Sequence, residues 1–145
     1  MEAAINFEEL LRAIGDGVVV ADADGNIIFW NAAAERIFGF TEQEAMGKSL
    51  DLIIPERQRQ RHWDGYNKTM ETGQTRYGND LLRVPALHKE GRPLSIAFTV
   101  AMLYTPDQKV SAIVAIVRDE TERWKEEREM KRRITELEGQ RAQSA

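Results

Sequence analysis

The stretch over residues 27–50, IIFWNAAAERIFGFTEQEAMGKSL, constrains this chain more than any other, because a short strand runs into Asn31 and two brief helices follow, each ended by glycine. Asn31 stands where IIFW stops and an alanine-rich turn begins, so its side chain can accept a bond from a free amide of the first turn. Gly39 and Gly47 fall at the two helix exits, where a left-handed residue is needed. Between them Thr41 and Glu44 have the Thr-x-x-Glu spacing of a capping box, which starts the second helix. Upstream, residues 18–21 read as a strand, joined to IIFW through Asp22-Ala23-Asp24-Gly25-Asn26, whose Asp-Gly step is a hairpin signal.

The remaining elements follow in an order that predicts one fold class. Residues 6–14 read as a short amphipathic helix, with Asn6 and Glu9 at capping spacing and Phe7, Leu10, Leu11 and Ile14 on one side, suited to packing on a sheet or a second subunit. Pro55 opens a longer helix that runs to about Glu71 and stops at Gly73. Three strands come next, at about 76–86, 93–103 and 110–118, with Lys89-Glu90-Gly91 and Pro106-Asp107 marking the turns. Helices in the middle and strands at both ends predict an α+β fold, a five-stranded antiparallel sheet with short helices covering one face. The chain divides into an N-terminal helix (1–16), a core (17–119) and a C-terminal exit helix with its tail (120–145).

Taken with the preceding VVVADADGN, these signals resemble the PAS domain family of sensory modules. The resemblance runs from about Phe7 to Asp119-Glu120-Thr121, which is similar to the Asp-x-Thr triplet that ends such domains. It implies a PAS fold and a non-catalytic sensor in signal transduction, and leaves ligand and output open, since one fold hosts many sites. The chain has no cysteine, which excludes disulfides, thiolate metal sites and the covalent flavin-cysteine adduct of the PAS photoreceptors. No Gly-rich phosphate loop, nucleophile elbow or His-Glu metal motif is present, so an enzyme is not expected.

Leu94, Ile96, Phe98, Val100 and Met102 alternate with smaller residues, the period of a half-buried strand. With Ile53, Ile54, Tyr66, Met70 and a face of the last strand they can line a cavity for an apolar ligand or fill it as an ordinary core, and periodicity alone leaves both open. The segment IPERQRQRHWDGYNKTMETG resembles the haem-bearing helix of the oxygen-sensing PAS kinases. Counted from Pro55 or back from Gly73, His62 falls on the ligand histidine of that group. The resemblance implies haem b with His62 as axial iron ligand, in a pocket of His62, Tyr66, Leu82, Phe98, Val100 and Met102. Trp63 is inserted before Asp64-Gly65-Tyr66, and the distal arginine of that group falls on Leu82, with Arg83 adjacent and Arg76 further off. An arginine-histidine pair at this place also occurs in PAS domains without haem, so a helix histidine with no ligand stays open beside the haem reading. Arg57, Arg59 and Arg61 read as a solvated basic face, Trp30 and Trp63 as packing residues, and His88, beside a turn, as exposed.

A net charge of −4 gives no general attraction to nucleic acid or acidic membranes. No apolar run approaches the roughly 20 residues of a membrane span, and the acidic start MEAAINFEELL has no signal-peptide pattern, so a cytoplasmic protein is expected. In the final segment, ERWKEEREMKRRITELEGQRAQSA, Met130, Ile134 and Leu137 recur at four and three residues. That seam suggests a homodimer through terminal helices and the sheet face, although its next upstream position is Glu127. A solvated helix folded back on its own sheet is the alternative. In the resembled family such a helix leads to an output, a histidine kinase or another signalling protein. Two function classes follow: a sensor whose pocket holds a small ligand or cofactor, and a ligand-free PAS dimerisation or interaction module.

Overall fold

A computed structural model describes residues 4–75 and 79–144. Helix α1 (Phe7–Ala13) leads into strands β1 (Gly17–Asp22) and β2 (Ile27–Trp30). Helices α2 (Ala32–Phe38) and α3 (Glu42–Ala45), a 3-10 turn (Leu50–Ile53) and the long helix α4 (Glu56–Thr72) cross over to β3 (Leu82–Leu87), β4 (Pro93–Tyr104) and β5 (Val110–Asp119). Helix α5 (Thr121–Ser144) follows. The strands form one antiparallel sheet in the order β2-β1-β5-β4-β3, so the last strand closes on the first, with Val19 opposite Ala115. This is the expected five-stranded sheet. β3 starts later than expected, at Leu82 opposite Phe98, and among the described residues β4 runs on beyond it to Tyr104 paired only with β5. Arg76 lies outside the described residues.

Asn31 does more than cap a helix. Its fully buried Oδ1 accepts from the amides of Ala34 (3.0 Å) and of Val18 (2.9 Å), on the neighbouring strand. Its Nδ2 donates to the carbonyls of Leu11 (2.9 Å) and Asp16 (3.1 Å), fastening the N-terminal segment to the sheet. Further along, the predicted capping box forms, Thr41 Oγ1 accepting from Glu44 N and Glu44 Oε1 from Thr41 N. His88 contradicts its expected exposure. It is only 6% exposed, because its ring lies against the left-handed Gly39, where a Cβ would come within 2.5 Å of it. The Glu90 amide donates to its Nδ1, so the turn folds the imidazole inward.

The packed core occupies one half of the inner sheet face. Trp30, Phe38, Ile27, Ala34, Ala45, Leu94 and Ile96 meet beneath α2 and α3, and the Trp30 indole donates to Phe40 O at 3.0 Å. On the outer face Leu11 of α1 and Ile14, just past its end, cover Val18, Val20 and Ala112. Phe7 and Leu10, predicted on the same packing side, stay exposed, because only the last turn of this seven-residue helix is drawn down by the Asn31 clamp. The Asp119-Glu120-Thr121 triplet anchors α5: Asp119 Oδ1 accepts from Thr121 N, and Thr121 Oγ1 accepts from Ser95 N on β4. Beyond it every residue from Glu122 to Gln143 is exposed, so α5 projects from the domain instead of folding back on the sheet.

Candidate functional site

Helical spacing puts His62, Tyr66 and Thr69 on one face of α4, and that face looks onto the half of the sheet that the core leaves uncovered. Two aromatic residues hold the helix there. The Tyr66 hydroxyl donates to the carbonyl of Asp22 at 2.5 Å. The Trp63 indole, turned about 100° from His62, lies on Gly25 of the β1–β2 turn and donates to Asp51 Oδ1 at 2.7 Å. The inserted tryptophan thus latches α4 to the first hairpin and is not part of the cavity wall. Arg59 bends inward too, donating to the carbonyls of Ile54 and Asp51, so the three arginines do not form one solvated face.

Between α4 and the sheet lies a cavity of about 710 Å³. Phe98, Val100 and Met102 of β4 and Leu82 of β3 supply apolar wall, and His62 and Tyr66 supply the helix side, so the structure brings all six residues singled out in the sequence around one space. Ile53 and Ile54 join them, whereas Met70 does not line it. Ile113 and Ala115 are the face that the last strand was expected to contribute, and sequence reasoning missed Val19 and Ala21, which complete the floor on β1. These strands are apolar on both faces, so a period of two carries no sign of which face looks inward. Arg83 takes no part: it faces outward and pairs with Glu120 at 3.3 Å.

His62 is the chemically distinctive wall residue. Its ring sits 5.6 Å from that of Tyr66 and 4.7 Å from that of Trp63, and its Nδ1 is buried with no hydrogen-bond partner. Burial holds the imidazole below the ordinary histidine value of 6.5, the Asp51 charge opposing this more weakly. Burial also raises the Tyr66 phenol, helped by the charges of Asp22 and Asp24. His62 and Tyr66 are therefore neutral near pH 7, the former with an orphaned ring nitrogen, whereas Arg61, Asp64 and Lys68 of α4 bring charge to the same cavity. These residues fit an apolar macrocycle carrying a metal that takes nitrogen, as haem does.

The His62 shift has a measurable consequence. With the folded-state pKa depressed, the unfolded chain binds the proton more readily, so the stability is present above pH 6.5 and is lost as pH falls through the folded value. A His62→Gln chain should lose less stability between pH 7.5 and 5.5 than the unsubstituted chain, measured as the shift in urea midpoint. Equal shifts would mean that His62 is as free to charge in the fold as out of it.

Among the described residues no three His, Asp or Glu side chains converge into a group able to hold a metal ion, and no helix is long and apolar enough to cross a membrane.

Comparison with known proteins agrees with this architecture. The family model described as PAS fold matches residues 6–119. The chain is 39% identical over 61 residues to the sensor protein FixL of Bradyrhizobium diazoefficiens, a match covering 42% of this chain and 12% of that protein. It is 26% identical over 103 residues to the oxygen sensor protein DosP of Escherichia coli, covering 71% of this chain and 13% of that one. Among solved structures, a PAS domain of a Colwellia psychrerythraea protein superposes with a TM-score of 0.70 at 22% identity, over 80% of this chain and 95% of that one. The chain thus spans about an eighth of the length of the two sensor proteins.

Proposed function

This chain belongs to the PAS family, and we propose that it senses a small apolar ligand or cofactor held between α4 and the sheet, and passes the change to α5. The observation that carries this reading is the cavity itself, which shares its floor with the output path. Ile113, Ala115 and Val117 on β5 line it, and β5 runs directly through Asp119 into Thr121, the start of α5. A ligand that packs differently against β5 in two states of the domain shifts their balance, and only that difference in affinity transmits a signal.

Haem is the ligand that one specific observation favours, the unpartnered Nδ1 of a buried histidine in a cavity whose sheet side is apolar and whose α4 side also carries Arg61 and Lys68. In this reading His62 would hold the iron through a ring nitrogen, Tyr66 lies beside it, and Leu82, Phe98, Val100 and Met102 exclude water from the space they line. Bound there, haem would supply a redox-active iron able to take a diatomic gas. The wall residues from β3 and β4 offer no side-chain donor to such a gas, which distinguishes this pocket from the arginine-bearing sensors it resembles. The DosP and FixL relatives, named as an oxygen sensor and a sensor, agree with a sensing role. We assign residues 17–119 to the sensing core, 1–16 and 120–145 to flanking helices that join it to a second copy, and the output to a histidine kinase or another signalling protein.

The test is an absorption spectrum and a native mass of protein expressed with added haem precursor, repeated for His62→Ala. A Soret band that the substitution abolishes supports haem at His62. Added mass without a band supports another ligand. A clean apoprotein with neither overturns the sensor reading and leaves a ligand-free interaction module.

A further inference from the structure

We propose that Gly65 is a specificity-determining residue of the cavity: its missing side chain leaves a notch in the rim of α4, and a flat ring ligand broader than the space beneath the helix passes its edge through that notch. The inference rests on the reading of the cavity as a ligand site and adds the shape of ligand that it admits.

Two rows of α4 residues border the cavity. His62, Tyr66 and Thr69 form the inner row, and Arg61, Gly65, Lys68 and Thr72, at intervals of four, three and four residues, form an outer one. All four of the outer row are exposed although they line the cavity, so this row is the rim between the cavity and solvent. Arg61 and Lys68, seven residues apart, stand about 10 Å from each other along the helix axis. Between them the rim drops to bare backbone at Gly65. Asp64, which also borders the cavity, accepts from Gln60 Nε2 at 3.0 Å and is drawn back along the helix. On the strand side the lining residue Val84 is itself 37% exposed, so apolar surface reaches the mouth there as well.

Glycine is a poor residue for this position unless the space is used. Inside a helix it is the least favourable residue after proline, because it gives up the most backbone freedom. The two ordinary reasons for a glycine are both missing. Gly65 has no positive φ, and no element packs against it: a Cβ there would find nothing within 4 Å, whereas Gly25 and Gly39 are crowded by Trp63 and His88. What distinguishes Gly65 is that its open side borders the cavity. Gly139 of α5 has equally open surroundings but lies away from the cavity. A side chain at position 65 would fill the gap between Arg61 and Lys68 and leave His62 and the floor as they are. A small molecule would still fit inside, and a ring broad enough to reach the rim would not.

Two apolar probes of different breadth test this without the natural ligand: benzene, small enough to lie wholly inside an apolar cavity, and anilinonaphthalene sulfonate, a broader aromatic dye. Gly65→Leu should raise the Tm of the ligand-free chain by about 2–4 °C, because it restores helix propensity at an open place. The same substitution should weaken the dye, followed by its fluorescence, by about tenfold or more, and change benzene binding, followed by calorimetry, by less than about twofold. Gly65→Ala should stabilise similarly and weaken the dye less, and Gly139→Ala should leave both probes unchanged. Unchanged dye affinity in Gly65→Leu, loss of both probes together, or no binding of either probe to the unsubstituted chain would overturn the proposal. So would a lower Tm of Gly65→Ala, which would mean that position 65 is packed. The test uses neither iron nor His62, so a failed haem spectrum leaves it standing, and unchanged dye affinity leaves the sensor reading standing.

Discussion

Replacing Asn31 by alanine is expected to remove a large share of the stability of the domain. A helix cap alone is worth about 1 kcal/mol, and Thr41→Ala provides that scale here. Asn31 is different because its amide is fully buried and joins three segments: Ala34 at the start of α2, Val18 on β1, and the carbonyls of Leu11 and Asp16 leading out of α1. Alanine leaves two amides and two carbonyls without this partner. With roughly 1–3 kcal/mol for each buried group left unsatisfied, and some relief from water at the α1 end, the expected loss is about 3–5 kcal/mol. Against a total of about 5–15 kcal/mol this is large, and it corresponds to a fall in Tm of about 10–20 °C. Asn31→Asp is the sharper control, because it keeps the volume and the acceptor but replaces the donor with a carboxylate oxygen that faces the carbonyls of Leu11 and Asp16 and buries a charge, so it should cost at least as much as alanine at neutral pH. Urea unfolding of the three variants decides it: if Asn31→Ala costs no more than Thr41→Ala, the side chain is only a cap.

Gly25→Ala should cost nearly as much, for a reason that lies at the site. Gly25 has φ of +81°, where an L side chain is strained by about 1–2 kcal/mol. Its Cβ would also lie 2.2 Å from two ring atoms of Trp63, so the indole would have to leave. With it would go the bond to Asp51 and one of the two latches that hold α4 over the cavity. Together these losses amount to about 3–4 kcal/mol. A double-mutant cycle separates the parts: in a Trp63→Ala background Gly25→Ala should cost only the backbone strain, so the two substitutions should couple by more than about 1.5 kcal/mol. Additive costs would show that the indole does not rest on this turn in solution.

Much of the fold was legible because its signals are local. Asn31, Gly39, the Thr41–Glu44 box, the Asp24-Gly25 step and Gly73 each act within a few residues, and the elements they delimit stand where those residues placed them. Where the reading failed, a distant partner decided. His88 reads as a turn residue until Gly39, far away in sequence, offers its ring a glycine to lie on. Trp63 reads as one more core aromatic, and only the β1–β2 turn reveals it as a latch. The cavity was partly visible: the alternating β4 exposes its inner face in the sequence, the last strand could be included without saying which of its faces looks inward, and β1 gave no sign.

By itself, then, the sequence determined the order of elements, the hairpins and caps, the family, and the exclusion of every chemistry that needs a thiol. It also determined the apolar seam of α5, since Met130, Ile134 and Leu137 are set by their spacing along one helix. Tertiary structure alone decided that the inner sheet face is half core and half cavity, that α1 covers the outer face with its last turn only, and that α5 stands clear of the domain. The physical reason is common to all three. Caps and turns are satisfied by neighbours in the chain, whereas burial, an orphaned imidazole nitrogen and an open seam depend on what packs, or fails to pack, against a surface from far away in sequence.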